Sequence, residues 1–298
     1  MNHVKETVHA KKVYHAGYSG KNIRIAVLDT GIAAHPDLIR RRICFFDFVN
    51  GRQTIYDDNG HGTHVSGILC GNGRKRKNMP AISGMAPDAD LVVLKVLDAK
   101  GNGDTKDVLK ALEWVICNHR IYGIRLLNFS VGFLPGADIR EQKQILDAVE
   151  ELWDSGVLVV AAAGNNGPGG NTVTVPGISR KILTVGACDD ELRQTSSVHR
   201  GYSGRGPTGC CIVKPEILAP GTKILSCDSK SDGYTVKSGT SMAAPVVCGA
   251  LALGMEKEPN LYPEEWKLRL YNTAEQVNTD TGKKTWGLLH VDNLLQMN

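Results

Sequence analysis

Three short segments of the chain place an acid, an imidazole and a hydroxyl among small residues. Asp29 ends an apolar run at residues 23–28, His61 stands in Gly-His-Gly-Thr-His at residues 60–64, and Ser241 stands in Gly-Thr-Ser-Met-Ala-Ala-Pro at residues 239–245. Such a set can perform nucleophilic catalysis, because the imidazole takes the proton of the hydroxyl while the carboxylate fixes the imidazole tautomer. Ser241 alone is equally typical of an ordinary helix N-cap. The chemical interpretation therefore depends on all three segments together.

The surrounding residues indicate how these groups are positioned. The run before Asp29 is typical of a buried parallel strand, and open α/β sheets place their sites at the carboxyl ends of such strands. His61 is followed by small and apolar residues at helical spacing, so it should open a helix. Ser241 should lie at the start of another helix, where free backbone N–H groups favour developing negative charge.

The order acid, imidazole, hydroxyl resembles that of the subtilisin-like serine proteases, the subtilases. Two further blocks strengthen the resemblance, namely Leu-Leu-Asn-Phe-Ser-Val-Gly at residues 126–132 and Val-Val-Ala-Ala-Ala-Gly-Asn at residues 159–165. The resemblance implies a three-layer α/β fold with a mostly parallel central sheet flanked by helices. It also implies a serine endopeptidase with an Asp29–His61–Ser241 triad and an acyl-enzyme on Ser241. The Asn165 amide and the Ser241 backbone N–H would form the oxyanion hole.

The resemblance also implies where a substrate lies. Residues 130–132 and a second segment near residues 100–103 would pair with an extended peptide as added strands, and Gly164 would leave room for the substrate backbone. The expected substrate-binding residues are Ser130, Val131, Gly132, Phe133, Gly101, Gly103, Ala163 and Gly164. Phe133 departs from the family pattern, which usually has a second glycine there. Two interpretations stay open: the ring packs structurally, or it narrows the pocket for the residue before the cleaved bond.

Three classes of function compete. The first is an endopeptidase that hydrolyses peptide or protein substrates. The second is a dedicated processing peptidase or transpeptidase with a more selective pocket, for which Phe133 is the sequence hint. The third is a catalytically inactive binding module. The presence of Asp29, His61, Ser241 and Asn165 together argues against the third class.

Metal ligands have weak sequence support. His64 lies three residues after His61, but no carboxylate follows at the spacing of zinc proteases, so a structural role is predicted for it. The chemistry requires no cofactor. Secreted relatives carry a calcium loop after this helix, and here the basic residues 74–77 oppose a divalent cation, so that site is predicted to be absent. A weaker cation site at residues 167–174, or near Asp189 and Asp190, stays open.

Charge and apolar runs bear on the other partners. The net charge is +4, and the basic runs at residues 40–42 and 74–77 contain no aromatic residues, which favours solvated loops over a nucleic-acid surface. A self-cleavage site in the second run stays an alternative. No stretch of about 20 apolar residues could span a membrane. The sequence does not indicate an oligomeric state.

Residues 1–20 contain no apolar core of a signal peptide, and the eight cysteines are dispersed. These features predict a cytoplasmic protein with reduced thiols. Because Asp29 lies close to Met1, we expect an intracellular type without a large prodomain; a trimmed mature form or non-classical export stays open. One domain is expected over residues 1–298, with residues 1–20 as an N-terminal extension or clasp.

Alternation of strand and helix patterns supports the α/β prediction. The predicted strands cover residues 23–28, 91–97, 125–129, 157–162 and 182–185, with a hairpin of 224–226 and 234–236. Three predicted helices cover residues 4–15, 105–120 and 139–155. Two more begin at His61 and at Ser241, and a last one begins at Pro263.

Overall fold

The computed structural model describes residues 1–39, 43–73, 82–133, 139–188, 201–206, 212–276 and 285–297. In this part of the chain the strands are β1 (Arg24–Asp29), β2 (Ile43–Asp47), β3 (Asp90–Lys95), β4 (Ile124–Phe129), β5 (Leu158–Ala162), β6 (Leu183–Ala187), β7 (Ile217–Ala219), β8 (Ile224–Cys227), β9 (Tyr234–Lys237) and β10 (Gly287–Leu288). The helices are α1 (Asn2–Thr7), α2 (Lys11–His15), α3 (His61–Cys70), α4 (Thr105–Tyr122), α5 (Ile139–Asp154), α6 (Thr240–Lys257), α7 (Pro263–Thr273) and α8 (Val291–Leu294).

Eight strands form one sheet in the order β10-β7-β6-β5-β4-β1-β3-β2. All seven neighbouring pairs are parallel. The central residues of the inner strands are apolar and buried, because helices cover both faces of such a sheet. Strand β1 lies between β3 and β4, so the chain order reverses beside it. Open α/β sheets bind ligands at such a switch point, and Asp29 ends β1 there.

Helices α3 and α6 pack against each other, and α6 also packs on β4, β5 and β6. Nearly all of their residues are buried, which their apolar composition permits. Helices α4 and α5 also contact each other and pack on β1, β4 and β5. These layers confirm the predicted α/β fold with a mostly parallel sheet flanked by helices. Because the two buried helices carry His61 and Ser241, their packing fixes the distance between the candidate catalytic groups.

The predictions for the ends of the chain need correction. The helix expected over residues 4–15 is two short helices, because His9 adopts a left-handed φ of 50° between them. The helix that opens at Pro263 is not the last one, since α8 follows it. Strands β2, β7 and β10 were not predicted. β2 is an aromatic, half-buried edge strand, and β7 and β10 have only three and two residues, too few to show a period.

The N-terminal extension is tied to the C-terminal part of the chain. The carboxylate of Asp292, in α8, accepts hydrogen bonds from the backbone N–H groups of Lys12 (3.3 Å) and Val13 (3.1 Å). Glu256 Oε2 accepts from the N–H groups of Ser19 and Gly20, each at 2.7 Å. Buried apolar residues of α1 and α2 join the main core. The extension therefore packs as part of the folded body.

The described residues also bear on membrane insertion and on the state of the cysteines. None of the described helices is long and apolar enough to cross a membrane. The six cysteines in the described ranges are free thiols. Cys70, Cys227 and Cys248 are buried, Cys44 and Cys188 are partly exposed, and Cys117 is exposed. The predictions about Cys210 and Cys211, and about the basic runs at residues 40–42 and 74–77, lie outside the described residues.

Candidate active site

Asp29 and His61 form a direct pair at the carboxyl end of β1. His61 Nδ1 lies 2.7 Å from Asp29 Oδ1, which also accepts the Thr30 backbone N–H at 2.8 Å. Asp29 is fully buried, while 24% of the His61 side chain is exposed. This bond places the proton on Nδ1 and leaves Nε2 as the free acceptor. The pair is therefore arranged as a general base with an oriented tautomer.

Two side chains outside helix α3 hold its N-terminus, where His61 lies. Asp57 Oδ2 accepts from Thr63 N–H (2.9 Å) and from Thr63 Oγ1–H (2.5 Å), and Asp57 Oδ1 accepts from Gly60 N–H (2.7 Å). Thr30 Oγ1 donates to Asp57 Oδ1 at 2.8 Å and accepts the N–H of the second helix residue at 2.9 Å. These bonds satisfy free N–H groups of the first turn. They join the helix start to the end of β1, and so set the position of the imidazole.

The surroundings of His61 shift its pKa. Burial lowers the pKa, but the charge of Asp29 and the hydrogen bond to it outweigh burial, and the net pKa is raised above the ordinary value. The charge of Lys237 acts in the lowering direction and that of Asp57 in the raising direction. A raised pKa makes the imidazole a stronger base once it is neutral.

Ser241 is the second residue of α6 and exchanges two hydrogen bonds with Ser130. Its hydroxyl donates to the Ser130 carbonyl at 2.9 Å, and Ser130 Oγ donates to the Ser241 carbonyl at 3.3 Å. The Ser241 carbonyl can accept this bond because Pro245, four residues later in the helix, has no N–H to donate to it. In this structure the hydroxyl of the nucleophile candidate therefore donates to Ser130, and it must turn toward His61 Nε2 before the imidazole can take its proton.

Asn165 follows β5 and lies against the start of α6. Its Oδ1 accepts from the backbone N–H of Thr240 (3.0 Å) and from Thr240 Oγ1 (3.2 Å), which leaves the Nδ2 hydrogens available. A Cβ on Gly239 would lie 3.2 Å from Asn165 Nδ2, so the amide nitrogen borders the turn before Ser241. The Ser241 N–H, in the first helical turn, has no intrahelical acceptor. Two donors thus stand near the Ser241 hydroxyl.

The predicted substrate-binding segments surround this centre but differ in their free backbone groups. Ala163 donates its N–H to Val185 O (2.9 Å) and accepts from Thr174 N–H (3.1 Å). Gly164 donates to Thr240 Oγ1 (3.0 Å) and accepts from Gly204 N–H (2.7 Å). Their backbone groups are therefore engaged within the protein, and these residues can form walls but not strand pairs. Residues 131–132 have no comparable backbone bonds among the described contacts.

Phe133 lies between the two segments that were predicted to bind substrate. Its backbone pairs on both sides with Val175, with each N–H to carbonyl distance 3.0 Å. Its ring is half-buried against the core, and Cε1 is 3.8 Å from the place of a Cβ on Gly103. This geometry favours the packing interpretation of Phe133. Gly103 itself forms a bridge with Leu97, and Gly101 adopts a left-handed φ of 83° in the turn before it.

His64 does not point toward the centre. Its Nε2 lies 3.0 Å from Ile224 O and 3.2 Å from Thr235 O, so the ring anchors the β8–β9 hairpin. Burial lowers the pKa of His64 to about 4, which keeps it neutral. Within the described ranges, neither His61 nor His64 belongs to a cluster with metal-ligand spacing. The predictions about the loop at residues 74–77 and about Asp189 and Asp190 lie outside the described residues.

Sequence reasoning missed several supporting residues. Asp57 carried a usable signal, since an aspartate just before a helix start is a capping pattern. Thr174 carried none, because its contacts with Gly132 and Gly164 depend on the folded chain. Lys95 is fully buried, and its ammonium donates to Thr30 O (2.6 Å), Leu97 O (2.8 Å) and Asp58 Oδ1 (2.7 Å). It thereby fixes the chain just after Asp29.

Comparisons with known proteins agree with this geometry. The family model described as the subtilase family matches residues 20–291. The chain is 38% identical to "Serine protease AprX" of Bacillus subtilis (strain 168), over 91% of this chain and 66% of that protein. It is 35% identical to "Subtilisin DY" of Bacillus licheniformis, over 97% of this chain and 96% of that protein. The chain thus spans slightly less than two thirds of AprX and nearly the whole of Subtilisin DY.

Solved structures are similar as well. "Sphericase" aligns over 92% of each chain with a TM-score of 0.78 and 30% identity. A cold adapted subtilisin-like serine proteinase aligns over 92% of this chain and 90% of its own, with a TM-score of 0.73 and 27% identity. The family model covers most of the chain, and the two solved structures share its fold. The chain belongs to the subtilase family of serine-type endopeptidases.

Proposed function

We propose that the chain hydrolyses peptide bonds through an acyl-enzyme on Ser241, with His61 as the base and Asp29 as its orienting acid. The observation that carries this proposal is the 2.7 Å bond between His61 Nδ1 and buried Asp29, at the switch point of the sheet. Ser241, at the start of the helix packed on α3, is the hydroxyl that this imidazole can serve.

In the first step the Ser241 hydroxyl turns from the Ser130 carbonyl to His61 Nε2, which takes its proton as Oγ attacks the substrate carbonyl carbon. A substrate N–H that binds the Ser130 carbonyl would release the hydroxyl for this turn. The oxyanion formed accepts hydrogen bonds from Asn165 Nδ2 and Ser241 N–H. Asp29 stabilises the imidazolium without taking a proton itself.

The tetrahedral intermediate then collapses. The bond between carbon and the leaving nitrogen breaks, and His61 gives its proton to that nitrogen, which departs as an amine. Water takes its place, His61 removes a proton from it, and the resulting oxygen attacks the acyl carbon. The bond to Ser241 Oγ breaks, Oγ regains a proton from His61, and the carboxylic acid product leaves.

Hydrolysis of a denatured protein substrate tests this proposal. Ser241→Ala should reduce the cleavage rate to a very small fraction of the wild-type rate. Ser231→Ala, in the exposed turn of the β8–β9 hairpin, should leave the rate unchanged. The rate that remains in Ser241→Ala, which the oxyanion hole and substrate binding supply, is expected to exceed the uncatalysed rate in water by about 10³–10⁴-fold. Cleavage by Ser241→Ala at the wild-type rate would reject the proposal.

A further inference from the structure

Three side chains from distant parts of the chain meet where the N-terminal extension contacts the C-terminal segment. His9 lies between α1 and α2, Glu275 lies just after α7, and His290 lies just before α8. One ring nitrogen of each histidine and a carboxylate oxygen of Glu275 all lie within 4.8 Å of one another. We call these three residues the chain-end cluster.

The backbone around the chain-end cluster is fixed by hydrogen bonds between the same three segments. The carbonyl of His9 accepts the N–H of Asp292, two residues after His290, at 2.9 Å. Glu275 and Leu288 pair through two backbone bonds of 2.9 and 2.8 Å. The fold therefore holds the three segments together independently of the cluster side chains.

The distances inside the cluster are close to those around a small ion. His9 Nε2 lies 3.3 Å from Glu275 Oε2. Two ligand atoms of a tetrahedral zinc ion, each about 2.0–2.2 Å from the metal, are about 3.4 Å apart. The rings of His9 and His290 are stacked, with centroids 4.4 Å apart and an angle of 9° between their planes. A side-chain rotation is needed to bring the His290 nitrogen equally close.

The ring of His290 already makes one hydrogen bond, which an ion would replace. Its Nδ1 accepts the N–H of Asn293 at 3.2 Å and so caps α8. A metal ion takes an unprotonated nitrogen. Binding at Nδ1 would displace the Asn293 N–H, and binding at Nε2 would move the ring proton to Nδ1. In either case the ion costs one neutral hydrogen bond, which a metal–nitrogen bond outweighs.

Two imidazoles and one carboxylate favour a transition metal over calcium. Imidazole nitrogen is a good ligand for zinc, copper and nickel, whereas calcium takes about six to eight oxygen ligands. Three protein ligands leave the fourth position of a tetrahedral ion for water. Since 49% of the side chain of both His9 and Glu275 is exposed, water and ions can reach the cluster.

The cluster is remote from the candidate active site. Glu275 pairs with Leu288 of β10, the edge strand, and four strands separate β10 from β1, which ends at Asp29. With about 4.8 Å between neighbouring strands, β10 and β1 are about 24 Å apart. An ion in the cluster would therefore act on the chain ends and not on the reacting groups.

We propose that His9, Glu275 and His290 bind one Zn²⁺ ion, with water as the fourth ligand, and that this ion holds the N-terminal extension against the C-terminal segment. An ion that binds only the folded protein stabilises it, by an amount that grows with the ion concentration. The inference does not depend on the function proposed for Ser241.

Calorimetric titration of the full chain with zinc chloride tests the site. The parent protein carries Ser241→Ala to prevent self-digestion and is first treated with a chelator. It should bind one equivalent of Zn²⁺. His9→Asn, Glu275→Gln and His290→Asn should each weaken this binding by at least about tenfold, because loss of even an outer-shell partner costs about 10–100-fold in metal affinity.

Asparagine is the matched replacement at both histidine positions. It tolerates the left-handed φ of His9, and it can cap α8 in place of His290. His15→Asn, which changes an exposed histidine of α2 outside the cluster, is the control and should bind Zn²⁺ as the parent protein does.

Hydrogen exchange and thermal unfolding test the effect on the chain ends. Zn²⁺ should slow amide exchange at residues 4–15 of the parent protein and raise the midpoint of its thermal unfolding. Both effects should be absent in His9→Asn. Zn²⁺ binding that leaves exchange at residues 4–15 unchanged would overturn the role of the ion in holding the extension.

Two results would overturn the site itself. A mere ion pair between His9 and Glu275 predicts no saturable binding of Zn²⁺ by the parent protein. Binding that is equally tight in the parent protein and in all three cluster variants would place the ion on other residues, such as the cysteines.

Discussion

Ser130 and Ser241 are joined by two hydrogen bonds of opposite direction, although 111 positions separate them in the chain. The Ser241 hydroxyl binds the Ser130 carbonyl, and the Ser130 hydroxyl binds the Ser241 carbonyl. Pro245 makes the second bond possible because it leaves that carbonyl without an intrahelical donor. Asn128 Nδ2 donates in turn to Ser130 Oγ at 2.8 Å. The end of β4 and the start of α6 are thereby fixed to each other.

Ser130→Ala removes the bond to the Ser241 carbonyl and the acceptor of Asn128, but keeps the Ser130 carbonyl. We expect a loss of about 1–2 kcal/mol in the free energy of unfolding, since each bond contributes about 0.5–1.5 kcal/mol. The value of kcat should fall more than KM changes, because the nucleophile is less well held. Urea unfolding and steady-state kinetics measure the two effects. Stability and kcat both equal to those of the wild type would show that the second bond has no role.

Asn165→Leu removes one of the two proposed donors to the oxyanion. We expect kcat to fall by about 10²–10³ while KM changes little, because the donor acts mainly on the charge formed in the transition state. Asn166→Ala, an exposed neighbour, is the control and should keep the wild-type kcat. A decrease confined to KM would assign Asn165 to substrate binding instead.

The pH dependence of kcat/KM should report the protonation of His61. The base must be neutral, so activity should fall as the pH decreases through the pKa of His61. Burial of the ring lowers this pKa, but the charge and hydrogen bond of Asp29 raise it by a larger amount. The apparent pKa should therefore exceed the ordinary value of about 6.5. Asp29→Asn removes the raising effects and should move the acid limb to lower pH at a much reduced rate. A rate that stays constant from neutral to acidic pH would contradict His61 as the base.

Asp57→Asn tests the cap of helix α3. Burial raises the pKa of Asp57, but hydrogen bonds from Thr63, Gly60 and Thr30 lower it by a larger amount. The net pKa is therefore below the ordinary value. A lowered folded-state pKa means that this stabilisation is present above the unfolded-state pKa and is lost as the pH falls through the folded-state pKa. We expect the variant to lose about 1–2 kcal/mol of unfolding free energy at neutral pH.

The difference between wild type and Asp57→Asn should shrink as the pH falls below about 4, the ordinary pKa that Asp57 has in the unfolded chain, and should vanish below the lower folded-state pKa. Thermal unfolding across this range measures it, with Asp147→Asn, exposed on α5, as the control that should show no difference. A difference of constant size at every pH would mean that the charge of Asp57 does not stabilise the helix start.

Gly132 and Gly164 should respond differently to alanine. Both substitutions place a Cβ against Thr174, but only Gly164 also has a left-handed φ of 85°. Thr174→Gly should therefore restore the stability of Gly132→Ala almost fully, and that of Gly164→Ala only in part, with about 1–2 kcal/mol remaining from backbone strain. Denaturant unfolding of the single and double variants measures the coupling. Equal restoration of both would contradict the assigned contacts.

The sequence was sufficient to predict the inner strands, because long apolar runs such as residues 157–162 can only be buried between helices. It also predicted which residues form the candidate site, through the resemblance carried by five blocks. The direct bond between Asp29 and His61 agrees with the prediction that these two residues lie together in the site. Their catalytic roles stay proposals.

Other features could not be predicted from local pattern. The left-handed φ of His9, the two-residue strand β10 and the close approach of Thr174 to Gly132 and Gly164 all depend on contacts between segments distant in sequence. Gly164 illustrates the limit. The sequence indicated a glycine that leaves room for a neighbour, and the substrate backbone was the expected neighbour. In the structure the room is taken by Thr174, so the residue type was informative but its partner was not.

The most direct test of the account is reaction of the protein with a fluorophosphonate, with intact mass as the readout. Wild type should gain the mass of one probe, because in the proposed mechanism His61 and Asp29 activate Ser241 alone. Ser241→Ala should gain none, and His61→Ala should react far more slowly. Folded wild type that gains no probe, or Ser241→Ala that gains as much as wild type, would contradict an activated Ser241 and with it the proposed mechanism.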